Sequence, residues 1–245
     1  ADVPVGVFLS SGIDSSLIAI LAQKNSLKKI NTFTVGFDEK EYDESDEAKK
    51  ISDYIGSNHF HINLNSSNFK TIISNISNIY DEPFSDVSQI PTVLLAKFAS
   101  NEIKVALSGD GGDEIFGGYD KYVWNKKIWS KISWLPFGMR KNLGFILTNI
   151  MNIRTLHPAF PKKKLISKLR NFFNRMSFVK NNQDLYESLI SNFYDNMNPY
   201  FEINDNFRND LYDNNQHLNL LNETEIMMYW DTVFTFSNGI LCKTD

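Results

Sequence analysis

The chain has a single cysteine, Cys242, among 245 residues. A disulfide framework within it is excluded, and the composition fits a reducing, cytoplasmic compartment. A catalytic thiol needs a base beside it, and neither Leu241 nor Lys243 supplies one, so Cys242 reads as a small, semi-buried side chain. Long uninterrupted apolar runs are lacking, so no membrane span is expected. Excess positive charge is lacking too: the net charge is −4, which argues against a basic nucleic-acid-binding face. The Walker pattern GxxxxGK[ST] does not occur, which argues against γ-phosphate transfer of the kinase or GTPase kind. Glycine is scarce, 12 residues in all, yet five of them crowd into residues 109–118. The opening Ala1-Asp2-Val3-Pro4 reads as the lead into a strand rather than a leader peptide, and with no initiator Met the chain is expected to be a piece of a longer one.

What remains is an ordinary globular balance, 42% hydrophobic and 22% charged, enough for a buried core. The first half alternates strands and helices. Val3–Leu9 is a short apolar run of the buried parallel-strand type, followed by a helix over Ser15–Lys24. Asn31–Phe37 predicts a second strand, Asp43–Ile55 a helix with Ala48, Ile51, Tyr54 and Ile55 at helical spacing, and His59–Leu64 a third strand. Two helical stripes (Phe69 to Ile79, then Ile90 to Phe98) precede a fourth strand at Ile103–Leu107. This alternation predicts an α/β fold, a parallel twisted sheet with helices on both faces, over residues 1–119. Beyond Tyr119 the strand signals fade. Residues 120–245 are expected to form an all-α extension, with turns at Leu135–Gly138 and His157-Pro158 and helices at Asp184–Asn192 and Glu223–Tyr229.

Two motifs carry chemistry. Leu9-Ser10-Ser11-Gly12-Ile13-Asp14-Ser15-Ser16 lies where the first strand ends and a helix begins. A helix N-terminus offers unpaired N–H groups and partial positive charge, and Ser and Gly let backbone approach phosphate closely. Asp14 would repel a bare phosphate, so its presence suggests a bridging Mg²⁺. A plain strand-to-helix turn with serine caps is the alternative. The second motif, Leu107 to Tyr119, follows the fourth strand and sets Asp110, Asp113 and Glu114 among its five glycines. Acids this close want a cation, since uncompensated they raise one another's pKa. The EF-hand pattern fails because Gly111 and Gly112 stand where ligands would be needed; a solvated acidic loop is the alternative. In an open parallel sheet, loops at the carboxyl ends of adjacent strands meet, so if strand one lies beside strand four, Asp14 and Asp113 could share one Mg²⁺.

The first motif resembles the pyrophosphate loop Ser-Gly-Gly-x-Asp-Ser of the ATP pyrophosphatases, and the second resembles the signature of the asparagine synthetases and their β-lactam synthetase relatives. Ala1–Gly6, Thr32–Phe37, Tyr80–Asp86, Ser88–Thr92, Trp230–Phe234 and Asn238–Asp245 add weaker matches. The resemblance implies a PP-loop synthetase domain, of the adenine nucleotide α-hydrolase-like kind, using ATP and Mg²⁺. It implies that a carboxylate, usually of aspartate, attacks the α-phosphorus, and that ammonia from a glutaminase domain then displaces AMP. It places Leu9, Val35, Ser108 and Gly109 at the adenosine end of ATP, Ser10, Gly12, Ser15 and Ser16 at the phosphates, Asp14 and Asp113 on Mg²⁺, and Asp110 as the catalytic acid. The stretch Asp86–Thr92 would shape the acceptor site. Ser11 departs from the pattern's second Gly and adds a Cβ near phosphate, and Asp110 is a methylene shorter than the usual Glu. The family's glutaminase domain would precede Ala1 and its later segments would follow Asp245. The chain alone is therefore expected to be unable to use glutamine, and the resemblance allows a homodimer of the full-length enzyme. The alternatives are a relative that amidates another carboxylate, such as a sugar acid of surface polysaccharide, and a non-catalytic nucleotide-binding relative. His59 and His61 share one face of the third strand, with no further His or Cys nearby in sequence to complete a metal site.

Overall fold

The structure, a computed structural model, describes residues 2–41, 43–81, 86–155, 163–190 and 221–244. Ala1, residues 82–85, the expected His157-Pro158 turn, Asn192 and Asp245 lie outside them. Two compact units are formed: Ala1–Phe116 with Asp231–Asp245, and Gly117–Trp230. The division read from sequence puts residues 231–245 with the helical extension, whereas they pack within the first unit.

The first unit is built on four parallel strands, β1 (Val5–Phe8), β2 (Asn31–Phe37), β3 (Asn58–Leu64) and β4 (Val105–Leu107), in the order β3-β2-β1-β4. Parallel neighbours need long crossovers, and helices supply them: α1 (Ile13–Lys24), α2 (Ser45–Ile55), α3 (Ser66–Ile79) and α4 (Gln89–Ala99). Strand alternation then sends side chains to two apolar layers. Val7 and Leu9 pack on one face with Ile18, Ala19 and Ala22 of α1 and Ala48, Ile51 and Ile55 of α2. Phe33, Phe8 and Phe60 pack on the other with Leu95, Phe98 and Ala99 of α4, where Phe33 and Phe60 stack at 5.1 Å. Ile72 of α3 joins Ile90 and Leu94 of α4 beside Val35 and Ile62 on this second face.

Local chemistry fixes the ends. Asn65 caps α3, accepting from Ser67 N and Asn68 N in a capping box with Asn68. Gly56 closes α2 in the left-handed region at φ 79°, a conformation that favours glycine. One expectation is corrected here: Tyr54 is not part of the inward stripe of α2 but 88% exposed, and Ser52 is buried in that stripe instead. Ser52 can be buried because its hydroxyl meets Thr32 Oγ1 and Ser57 Oγ. Register sets the partners of both histidines, His59 opposite Thr32 and His61 opposite Thr34.

The first unit continues through α5 (Gly112–Phe116) and ends in a π-helix (Asp231–Ile240) and α11 (Leu241–Thr244), where α10 (Glu223–Trp230) has closed the second unit. Cys242 lies on that short last helix and is exposed, not semi-buried. The second unit contains α6 (Asp120–Ile132), α7 (Phe137–Thr155), α8 (Lys163–Phe178), α9 (Asn182–Ile190) and α10. Its core gathers Ile132, Met176, Val179 and Leu185. Arg140 is buried there, and its guanidinium donates to the carbonyls of Leu135, Val179 and Lys180. Burial holds the Arg140 guanidinium below its ordinary pKa.

Candidate active site

β1 lies beside β4 in parallel register, Val7 opposite Leu107. The loops that leave these strands therefore emerge at the same edge of the sheet, the geometry in which α/β proteins place ligands. Contact between them is close enough to dictate glycine. A Cβ on Gly109 would stand 2.7 Å from Ser15 N, and one on Gly112 would stand 2.4 Å from Asp14 Cγ. Gly109 and Gly112 thus make room for the first motif.

The first loop is closed by its own hydroxyls. Ser10 N donates to Ser15 Oγ at 3.1 Å, and Gly12 N donates to Ser10 Oγ at 3.1 Å. Ser16 Oγ donates to the Gly12 carbonyl at 2.7 Å. Ser15 is buried, so its hydroxyl shapes the loop from inside. Gly12 is the N-cap of α1 and offers no side-chain cap, which leaves the helix N-terminus as an end suited to an anion. Ser11 donates from both N and Oγ to Glu44 Oε2, at 3.1 and 2.7 Å. The added hydroxyl at this departure from the family pattern therefore ties the loop to the residue preceding α2. Asp43 steadies that turn by accepting from Phe37 N and Ser45 N. The Ser45 side chain and these backbone donors outweigh burial and hold its carboxyl below the ordinary value.

Leu9 and Val35 do not share a side-chain environment. Leu9 packs on the α1/α2 face and Val35 on the α3/α4 face. The Leu9 carbonyl accepts from Oγ1 of Thr34, the residue before Val35, at 2.6 Å. Ser108 is half-buried and takes the Asp110 N–H on its Oγ at 3.4 Å. Gly111 adopts φ 90°, and a Cβ there would meet the Phe236 ring of the π-helix at 2.9 Å.

Asp14 and Asp113 stand on the two apposed loops, and the Asp14 carboxylate lies over Gly112, next to Asp113 in sequence. Hard carboxylate oxygens suit Mg²⁺, which is commonly held by one or two carboxylates together with phosphate oxygens. Among the described residues no group of three or more His, Cys, Asp or Glu is arranged to hold a metal, His59 and His61 included.

One residue at the site carries no signal within either motif. Lys243 Nζ approaches Asp110 Oδ1 at 3.6 Å and Asp86 Oδ2 at 3.5 Å, with its side chain only 9% exposed. It also donates to Ser88 Oγ at 3.0 Å. Burial pushes the Asp86 carboxyl up, but the Ser88 hydrogen bonds and the Lys243 ammonium together hold it below the ordinary carboxylate value. In the sequence Lys243 stands out only as a neighbour of Cys242 and as part of the matching stretch Asn238–Asp245, and its charge lies far along the chain from both motifs. A cavity of about 900 Å³ opens beside it, bounded by Phe8, Tyr80, Thr92, Ser108 and Lys243 among others. That cavity meets the motif loops only at Ser108, so it adjoins the phosphate loop without containing it.

The family model for asparagine synthase matches residues 1–245. The chain belongs to the asparagine synthase family. It is 45% identical over 120 residues to a putative glutamine-hydrolysing asparagine synthetase of Methanocaldococcus jannaschii, covering 49% of this chain and 23% of that one. It is 38% identical over 144 residues to a putative asparagine synthetase of Mycobacterium tuberculosis, covering 59% and 22%. It is 36% identical over 143 residues to asparagine synthetase 1 of Bacillus subtilis, covering 58% and 22%. The matched region thus spans less than a quarter of each of these relatives. No described helix is long and apolar enough to cross a membrane.

Proposed function

We propose that this chain carries the ATP-consuming step of an amide ligase that activates a carboxylate, with the side chain of aspartate as acceptor. A carboxylate oxygen of the acceptor forms a bond to the α-phosphorus of ATP, the bond from that phosphorus to pyrophosphate breaks, and an acyl-adenylate results. Ammonia, delivered by a glutaminase domain, then bonds to the acyl carbon. AMP leaves with the bonding pair, and the nitrogen loses a proton.

The observation that carries this reading is the apposition of the two loops through Gly109 and Gly112, which sets Asp14 and its helix N-terminus against the acidic loop. Ser10, Gly12, Ser15 and Ser16 would bind and shape the pyrophosphate, and the α1 N-terminus would meet the negative charge it develops on leaving. The main chains of Leu9, Val35, Ser108 and Gly109 would receive adenosine. Asp14 and Asp113 would hold Mg²⁺, which when bound neutralises the polyphosphate and stabilises the departing pyrophosphate. Asp110, on the loop facing that end, would act on the acceptor and on the ammonia nitrogen by holding or taking a proton.

The test is pyrophosphate release by the intact native polypeptide with Mg-ATP and ammonia, across a panel of carboxylic acids. Release that needs aspartate and is lost in Asp14→Asn supports the proposal. Release with a sugar acid and not with aspartate keeps the chemistry and replaces the acceptor; no release with any acid, although Mg-ATP binds, points to a nucleotide-binding role.

A further inference from the structure

The acidic loop is gripped by the last described segment of the chain. Gly111 rests on Phe236 of the π-helix, and Asp110 faces Lys243 on α11. Lys243 is itself held on several sides. Its ammonium meets Asp86 and Ser88, and its carbonyl accepts from Tyr80 Oη at 3.3 Å. Asp86 is in turn anchored, accepting from Ser88 N and Ser88 Oγ at 2.7 Å each just ahead of α4. Anchorage therefore runs from α4 through Asp86 and Ser88 to Lys243, and ends on Asp110. The Asp110 side chain has no other charged partner within reach among the described residues.

An ammonium left 9% exposed between two carboxylates is weak evidence for stability, because desolvation offsets much of the Coulomb gain. Its worth lies in placement. The proposed reaction brings Asp110 close to a polyphosphate that would repel it. We propose that Lys243 is the positioning residue for Asp110, holding its carboxylate toward the acceptor side against that repulsion, with Asp86 fixing the lysine. This rests on the reaction proposed above. Lys243 acts through Asp110 and is assigned no contact with ATP.

The test uses the intact native polypeptide. In Lys243→Met, kcat for pyrophosphate release is expected to fall about 100-fold, the scale of a misplaced catalytic group. KM for ATP should stay nearly constant, since no ground-state contact to nucleotide is lost. Lys243→Arg should recover most of the rate. In an Asp110→Asn background, adding Lys243→Met should cost little more, because residues acting as a unit are not additive. Losses that multiply in the double variant, an unchanged kcat, or a rise in KM alone would overturn the proposal. A crystal structure of Lys243→Met, folded by its thermal melt, gives a readout independent of turnover: the Asp110 carboxylate should leave its wild-type position. Should the wild type release no pyrophosphate with any acid, the reaction falls, while the positioning stands or falls on that displacement.

Discussion

Gly112 and Asp14 meet so closely that a Cβ on the glycine would lie 2.4 Å from the Asp14 carboxyl carbon. The two residues open α1 and α5 and belong to different motifs, so the contact is where one motif limits the other.

Gly112→Ala should therefore displace Asp14 or its loop. Mg-ATP affinity is expected to fall at least about tenfold, the equivalent of 1.4 kcal/mol. Titration calorimetry on the variant and on Gly138→Ala, where a Cβ meets nothing within 4 Å, separates this contact from a general effect of alanine.

Arg140 is the polar keystone of the second unit. Arg140→Met removes donors from three carbonyls, at Leu135, Val179 and Lys180. Stability should drop by about 2–4 kcal/mol, because acceptors are left without partners and a charged donor is lost. A lower urea midpoint, with Mg-ATP binding preserved at the first unit, is the expected result.

Gly144 lets α7 and α8 pack closely, since a Cβ there would stand 2.6 Å from the Phe173 carbonyl and 2.8 Å from Ser177 N. Backbone cannot yield as a flexible side chain can. Gly144→Ala is expected to destabilise by about 1–3 kcal/mol, despite the better helix propensity of alanine. Thermal melting of the variant checks it, and a rise in Tm would refute it.

His59 gives a pH signature. Burial, with the nearby Lys49 and His61 charges, holds its pKa below the ordinary 6.5, against a smaller opposing effect of Asp53. The unfolded chain binds the proton more readily, so this contribution is complete above pH 6.5 and is lost as pH falls through the lower folded value. Asp43 and Asp86 are depressed carboxyls whose contributions are complete above 3.8 and lost below it, a separate window. The urea midpoint of the wild type should decline on acidification below pH 6.5, and His59→Asn should remove most of that decline.

The strand β2, Asn31–Phe37, is legible residue for residue, because five β-forming residues, Thr32, Phe33, Thr34, Val35 and Phe37, in a span of seven admit few other readings. Tyr54 was misread because helical spacing alone does not distinguish an aromatic on the solvent side from one on the core side. The buried Ser52 was invisible because its partners, Thr32 and Ser57, come from a strand and a turn that only register brings near. Both site loops could be read because their chemistry is local: a strand end, a helix start, and glycines and acids in a short span.

The sequence by itself determined the alternation of strands and helices and the two loop motifs, since propensity, side-chain period and short-range turn chemistry act within about ten residues. Only the tertiary structure decided that β1 pairs with β4, that Gly109 and Gly112 exist to admit Asp14 and Ser15, and that Lys243 reaches Asp110. Those outcomes depend on hydrophobic layers closing over both faces of the sheet and on charges meeting after long chain excursions. Nothing in the neighbourhood of Lys243 along the chain encodes them.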